Sequence, residues 1–284
     1  MDLLLTMLSD AAVLAPLAVG LSVIYRMSGV INFAAGTVCI ACGYTAVQFA
    51  NGLLGVVVAL VVGTALGVLT YLTTVLPGRL LHAPLIAMTL ATVGFSVALE
   101  AVGHWVFGGV STAADPWLPG GFELAGAQIG YQRLLVIAAG VAVVLVVIAL
   151  FDRTMIGRMM EACAANEPLA QLYGTNPSRH HLLAWALGGF CSAVTGVLQV
   201  AVAGISVSLG MHLLLVAAIG AVVGGVQGLR SSALGVLLVA AVSALVARYL
   251  TTDYVLVPVF VVLLVALYFR PQGAFAGTKT AERV

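Results

Sequence analysis

Apolar runs of about 20 residues recur along the chain, separated by short polar or glycine-rich joints. About 20 helical residues, each rising about 1.5 Å, cross a bilayer core of about 30 Å. The pattern predicts nine crossings, over 10–27, 34–50, 53–76, 83–107, 131–151, 180–203, 210–228, 231–250 and 254–270. The short alternating segments of a membrane β-barrel are not found. The predicted fold is therefore all-α, a polytopic integral membrane protein of about nine transmembrane helices, with one membrane domain over 1–284.

Two joints are longer than the rest. Residues 108–130 are rich in Gly, Pro and Ala, whereas residues 152–179 hold Arg158, Glu161, Asn166, Glu167, Gln171, Asn176 and Arg179, with His180 and His181 directly after them. The second joint has local helix punctuation. Asn166 can cap a helix whose first turn holds Glu167 and Pro168, where a missing N–H costs little. Gly174 suits the position just past the end, where φ is positive. Asn176-Pro177 repeats the start signal. The spacing predicts a helix of about two turns, with Leu169, Leu172 and Tyr173 on one face. Two roles fit it: an amphipathic helix on the bilayer surface, or a docking element for a soluble protein.

Composition fixes the class more firmly. The chain is 62% hydrophobic and 7% charged, against about a quarter charged in soluble domains. A formal net charge of +1 argues against nucleic-acid binding. The one lysine, Lys279, follows Gly273-Ala-Phe-Ala-Gly277-Thr, the wrong spacing for a phosphate-binding loop. Cys39, Cys42, Cys163 and Cys191 have no partner set with ligand spacing and read as small packing residues, so no metal is expected. No basic residue precedes Arg26, so the first run is expected to stay as a spanning helix rather than leave as a signal peptide.

Basic residues also set the expected orientation. With the N-terminus outside, Arg26, Arg79, Arg153, Arg158, Arg179, Arg230, Arg270, Lys279 and Arg283 fall inside, nine of the eleven basic residues. Arg133 and Arg248 fall outside. This places 152–179 and the C-terminus in the cytoplasm and 108–130 outside.

Several residues inside the apolar runs invite a functional reading. Gly63-x-x-x-Gly67, Gly220-x-x-x-Gly224 and Gly225-x-x-Gly228 allow close helix packing, or thin the wall of a pathway. Asn32, at membrane depth, must be hydrogen-bonded. It is either a helix cap or, with Phe33 and Gly36, part of a translocation path. Glu100 is the one acid placed well inside a predicted run, with His104 one turn later on the same face. They form a structural pair, an external vestibule or a proton relay.

Six stretches together resemble a known family. Gly157-Arg158 with the alanine-rich residues after it, Ala170-x-x-x-Gly174 and the glycine-studded GGFCSAVTGVL resemble the ATPase-coupling loop of ATP-binding-cassette (ABC) importer permeases. Ser28-Gly-Val-Ile-Asn32-Phe-Ala-Ala-Gly36, Gly224-Gly225-x-x-Gly228 with Ala233-Leu-Gly235, and Arg270-Pro271-Gln272-Gly273 resemble the branched-chain amino acid permeases among them. The likeness covers about 15–275. Ala35 stands where the family commonly has His, and Glu161 where a basic residue is common.

The resemblance implies a permease subunit in a bacterial inner membrane, moving branched-chain or other amino acids, urea or short amides. It implies that Gly157, Arg158, Glu161, Asn166, Glu167, Ala170, Leu172, Tyr173 and Gly174 couple to ATPases. It also implies two cytoplasmic ATPase subunits that bind the ATP and magnesium, an external solute-binding protein and a second permease. That second permease is expected to be a related but different chain, with a homodimer as the other arrangement. The chain itself is expected to hold no cofactor and perform no covalent chemistry. The rival from another class is a secondary transporter or channel, which needs its own coupling-ion site. A membrane-embedded enzyme needs clustered catalytic groups, and the sequence has none.

Overall fold

The computed structural model describes residues 2–48, 52–114, 116–124, 127–249, 256–270, 273 and 275. Lys279 and Arg283, and Pro271 and Gln272 of the C-terminal motif, lie outside the described residues.

Each predicted crossing corresponds to a helix. Among the described residues, six are long and apolar enough to span a membrane. These are α1 (Asp2–Ser28), α3 (Leu53–Thr70) with its continuation to Leu80, α5 (Leu85–Phe107), α6 (Tyr131–Arg153), α9 (Pro177–Val202) and α11 (Leu229–Tyr249). The other three, α2 (Ala35–Gln48), α10 (Leu209–Gly224) and α12 (Leu256–Phe269), have 14, 16 and 14 residues. At 1.5 Å per residue they cover roughly 21–24 Å, less than the bilayer core. Helix α1 starts well before residue 10, because LLLTML is itself helical and apolar. Asp10 therefore lies inside a helix, and Glu100 is not the only acid so placed.

Helix α3 does not end at residue 76. It passes through a π-helical turn, Tyr71–Val75, into α4 (Leu76–Leu80). The Leu76 N–H reaches back five residues to the Tyr71 carbonyl. Pro77 has no N–H to continue the α-ladder, and the hydroxyls of Thr73 and Thr74 bond back to the carbonyls of Leu69 and Thr70. Single π-turns inside α-helices recur at functional sites and are one of the places where a helix kinks.

Helices α1 and α9 form the centre of the bundle and are mostly buried. Helix α1 packs on α6, α9, α10 and α11, and α9 also packs on α2 and α3. The paired glycines serve this packing. Gly63 and Gly67 abut Gly189 and the Trp185 backbone of α9, and Gly220 and Gly224 abut α11 at Val236, Ser231 and Ser232. By contrast α5 is almost wholly exposed, with only Met88 and Thr92 buried.

Residues 108–130 are not wholly irregular. Gly121–Leu124 (β1) and Ala127–Gly130 (β2) pair antiparallel and lead straight into α6. Thr112 also bridges to Ile205, in the α9–α10 connection. The all-α description thus holds for the membrane bundle, with one small hairpin at its end.

Candidate functional site: a capped surface helix and a helix break

The stretch 152–179 folds as two short helices rather than one. Helix α7 (Met155–Ala165) was not foreseen, and α8 (Glu167–Leu172) was. The Thr154 hydroxyl caps α7 by accepting from Gly157 N–H at 3.2 Å. Gly157 packs onto the Phe151 backbone, where any side chain would collide. The chain can therefore turn sharply out of α6.

Asn166 caps α8 as predicted, its Oδ1 accepting from Leu169 N–H at 3.0 Å. At the other end Thr175 N–H bonds to the Ala170 carbonyl and Gly174 N–H to the Gln171 carbonyl. These two bonds form a Schellman end, and Gly174 takes its positive φ of 82°. Asn176 then caps α9 through Arg179 N–H. Ala170 is buried, while Leu172 and Tyr173 are 84% and 82% exposed. Two large apolar side chains thus project from a helix that is fixed at both ends.

Three ion pairs fasten this unit to different helix ends. Glu161 of α7 accepts from Arg26 of α1 at 2.7 Å. Glu167 of α8 accepts from Arg79 of α4 at 2.5 Å, and Asp152 of α6 from Arg230 of α11 at 2.5 Å. Glu161 reaches back to α1 and leaves the outward charge to Arg158, which is exposed. Arg26 and Glu161 also line a cavity of about 460 Å³ with Tyr25, Gly29, Ala164 and Gln227. Sequence reasoning missed Arg26, Arg79 and Arg230 as site residues; their only signal was that each closes or opens a helix next to a joint.

The other candidate residues gather at a break between α1 and α2. Residues 29–34 leave the helix, with Gly29 at φ 69°. Asn32 is 2% exposed, and its Oδ1 accepts from Ala34 N–H at 3.0 Å, so it caps the start of α2. Phe33 N–H donates to the Thr92 hydroxyl of α5 at 3.1 Å, and Thr37 pairs with Ser96 at 2.6 Å. Gly36 meets the backbone of Gly210 at the start of α10. Non-helical backbone in a membrane persists only where protein covers it or a cavity adjoins it. Here the Thr92 hydroxyl supplies that cover, accepting from Phe33 N–H and lying 3.2 Å from the Ile31 carbonyl. Asn32, Phe33 and Gly36 are therefore brought together.

Glu100 and His104 lie one and two turns beyond Ser96 on α5. Glu100 is half-buried and His104 exposed, and no hydrogen bond or ion pair joins their side chains among the described residues. No group of three or more His, Cys, Asp or Glu stands close enough to hold a metal among those residues.

The class this describes is a multi-pass helical membrane protein with a rigid, outward-facing surface helix between two of its spans. The family follows from the whole chain: the family model for "Branched-chain amino acid transport system / permease component" matches residues 3–267, and the chain belongs to that family. It is similar to the high-affinity branched-chain amino acid transport system permease protein LivH of Escherichia coli (strain K12), 26% identical over 95% of this chain and 93% of that one. It is also similar to the permease protein BraD of Pseudomonas aeruginosa, 27% identical over the same shares. The fructose import permease protein FruF of Bifidobacterium longum is 28% identical over 84% of this chain and 68% of its own length. Among solved structures, PsaBC from Streptococcus pneumoniae in complex with Fab superposes with a TM-score of 0.54 at 14% identity, covering 96% of this chain and 93% of that one. At that identity the likeness concerns the fold.

Proposed function

We propose that this chain is the membrane subunit of an ABC importer that moves branched-chain or similar small amino acids into the cell. The observation that carries the reading is α8, a helix capped at both ends that presents Leu172 and Tyr173 outward. Exposed large apolar groups on a rigid element suit a protein partner. The partners are two cytoplasmic ATPases that bind the ATP and magnesium, an external solute-binding protein and a second, related permease. The relatives named for branched-chain amino acids match nearly their whole length, which favours amino acids over the sugar of the fructose permease's name.

The test is uptake of radiolabelled leucine in vesicles holding the permeases, the ATPases and the binding protein. Uptake should require ATP inside the compartment that holds the ATPases. Uptake by the permeases alone, driven by an ion gradient, would instead mark a secondary transporter.

In the proposed orientation the N-terminus is outside and α8 is cytoplasmic, in the bacterial inner membrane. In a cysteine-free background, an impermeant thiol reagent added outside intact cells should label Ser111→Cys and spare Gln171→Cys. The reverse pattern would invert the orientation.

Glu100 is half-buried on an exposed helix and has no ion-pair partner within the chain among the described residues. A proton carrier needs a relay, and among the described residues no hydrogen bond or ion pair links Glu100 to His104 or to another ionisable side chain. Glu100→Gln should therefore keep ATP-dependent uptake within a few-fold of the unaltered chain. Near-complete loss at normal complex yield would make Glu100 part of the transport chemistry.

A further inference from the structure

Glu167 turns inward from α8. Its Oε2 accepts from Arg79 Nη2 at 2.5 Å and lies 3.7 Å from His181 Nε2. One carboxylate thus joins three elements: α8, α4 and the second turn of α9. His181 is only 2% exposed. The ring of Tyr71 lies nearly parallel to it, 4° apart with centroids at 6.5 Å, and Trp185 adjoins Tyr71 at 6.2 Å. Tyr71 is the first residue of the π-turn, and Arg79 lies in the short helix that the π-turn leads into. The ion pair and the aromatic stack therefore hold the two ends of one hinge.

Two further features suit a moving part. Among the described residues, buried His181 Nδ1 and Trp185 Nε1 have no hydrogen-bond partner, so the cluster stands to gain if it rearranges. Beyond the hinge, α3 is packed tightly, with Gly63 and Gly67 against α9. Helix α3 also packs on α2, whose first turn holds Gly36. A displacement of α8 that pulls Arg79 would bend the chain at the π-turn and push on α3, and through it on the α1–α2 break.

We infer that Glu167, Arg79 and His181 form the transmission point of this permease, with Arg79 the residue that passes movement of α8 into the π-turn. This rests on the reading of α8 as the ATPase-docking element. Arg79 is a positioning residue and touches neither solute nor nucleotide.

The experiment uses Arg79→Met in the assembled importer, because methionine keeps much of the stem's packing and removes the charge. The ATPases should co-purify as with the unaltered chain and ATP hydrolysis should continue. Uptake per ATP hydrolysed should fall by roughly tenfold, within the usual range of coupling between sites. A purely structural role would lower yield and hydrolysis together and leave that ratio unchanged. The exchanged pair, Arg79→Glu with Glu167→Arg, should recover part of the ratio. Recovery stays partial because a cation is unfavourable in the first turn of α8. In the isolated full chain, Arg79→Met should speed amide exchange over 71–80.

An unchanged ratio in Arg79→Met, or an exchanged pair no better than the single variants, overturns the inference. So does loss of ATPase association in Arg79→Met, which would make Arg79 a docking residue. If the unaltered chain retained no ATPase at all, the docking reading of α8 would fail instead. Amide exchange over 71–80 would then still decide the junction: unchanged rates refute it, faster rates uphold it.

Discussion

Gly174→Val should leave the permease in the membrane and reduce ATPase association and uptake together. Gly174 ends α8 with φ at 82° and has nothing within 4 Å of where a Cβ would stand. The cost of a side chain there is therefore in the backbone alone. A non-glycine residue in the left-handed region costs on the order of 1–2 kcal/mol, and a β-branched one the most. The strain is relieved by giving up the two bonds of the Schellman end, Thr175 N–H to Ala170 and Gly174 N–H to Gln171. Leu172 and Tyr173 then lose their fixed direction. A strain of that size lowers the population of the docking geometry by roughly tenfold. The substitutions should rank Val worst, then Ala, then Asn, since Asn tolerates positive φ. The measurement is the amount of ATPase retained on the purified permease, beside leucine uptake in vesicles. Normal retention and wild-type uptake in Gly174→Val would remove α8 from the coupling role.

The rigid ends of α8 were legible because capping is local. Asn166 bonds three residues ahead, and Gly174 and Thr175 bond three and five residues back, so residue type and spacing were enough. The apolar helices were legible for a similar reason, since run length against bilayer thickness is a one-dimensional test, which six of them meet and α2, α10 and α12 fall short of. Helix α7 was not, because its apolar residues Met160 and Cys163 belong to a run too short for a crossing and were read as part of a joint. The ion pairs were not legible either. Arg26 and Glu161 are 135 positions apart and Arg79 and Glu167 are 88 apart. Nothing near any of the four names its partner, and only the fold, which sets α7 against α1 and α8 beside α4, brings them together. The unusual Glu161 was visible in the sequence, but its inward pairing with Arg26 needed the fold. The π-turn had a partial signal, Pro77 close after a threonine-rich turn, which reads equally well as an ordinary helix end.

Glycines gave the least reliable signal, and two of them should respond oppositely to the same substitution. Gly36 and Gly94 both sit in apolar helices, and hydropathy alone does not say which of them is closely packed. In the fold, a Cβ on Gly36 would overlap the Gly210 carbonyl and the Leu214 Cβ of α10, whereas a Cβ on Gly94 would meet nothing within 4 Å. The neighbour of Gly36 is backbone, so it cannot rotate away, and overpacking of this kind costs about 1–3 kcal/mol. Gly36 stands in the first turn of α2, where a better helix former returns little of that. Gly94 lies mid-helix in α5, where alanine is favoured over glycine by about 0.5–1 kcal/mol. Gly36→Ala should therefore lower the unfolding temperature of the detergent-purified chain by a few degrees, and Gly36→Leu by more, with uptake lost. Gly94→Ala should melt at or above the unaltered chain. The readout is the fraction of monodisperse protein left after stepwise heating, which ranks variants even where unfolding is irreversible. Equal melting of Gly36→Ala and Gly94→Ala would mean that α2 and α10 do not meet as closely as this structure has them. The α1–α2 break would then lose its place beside α10, and with it the case for Asn32, Phe33 and Gly36 as part of the path.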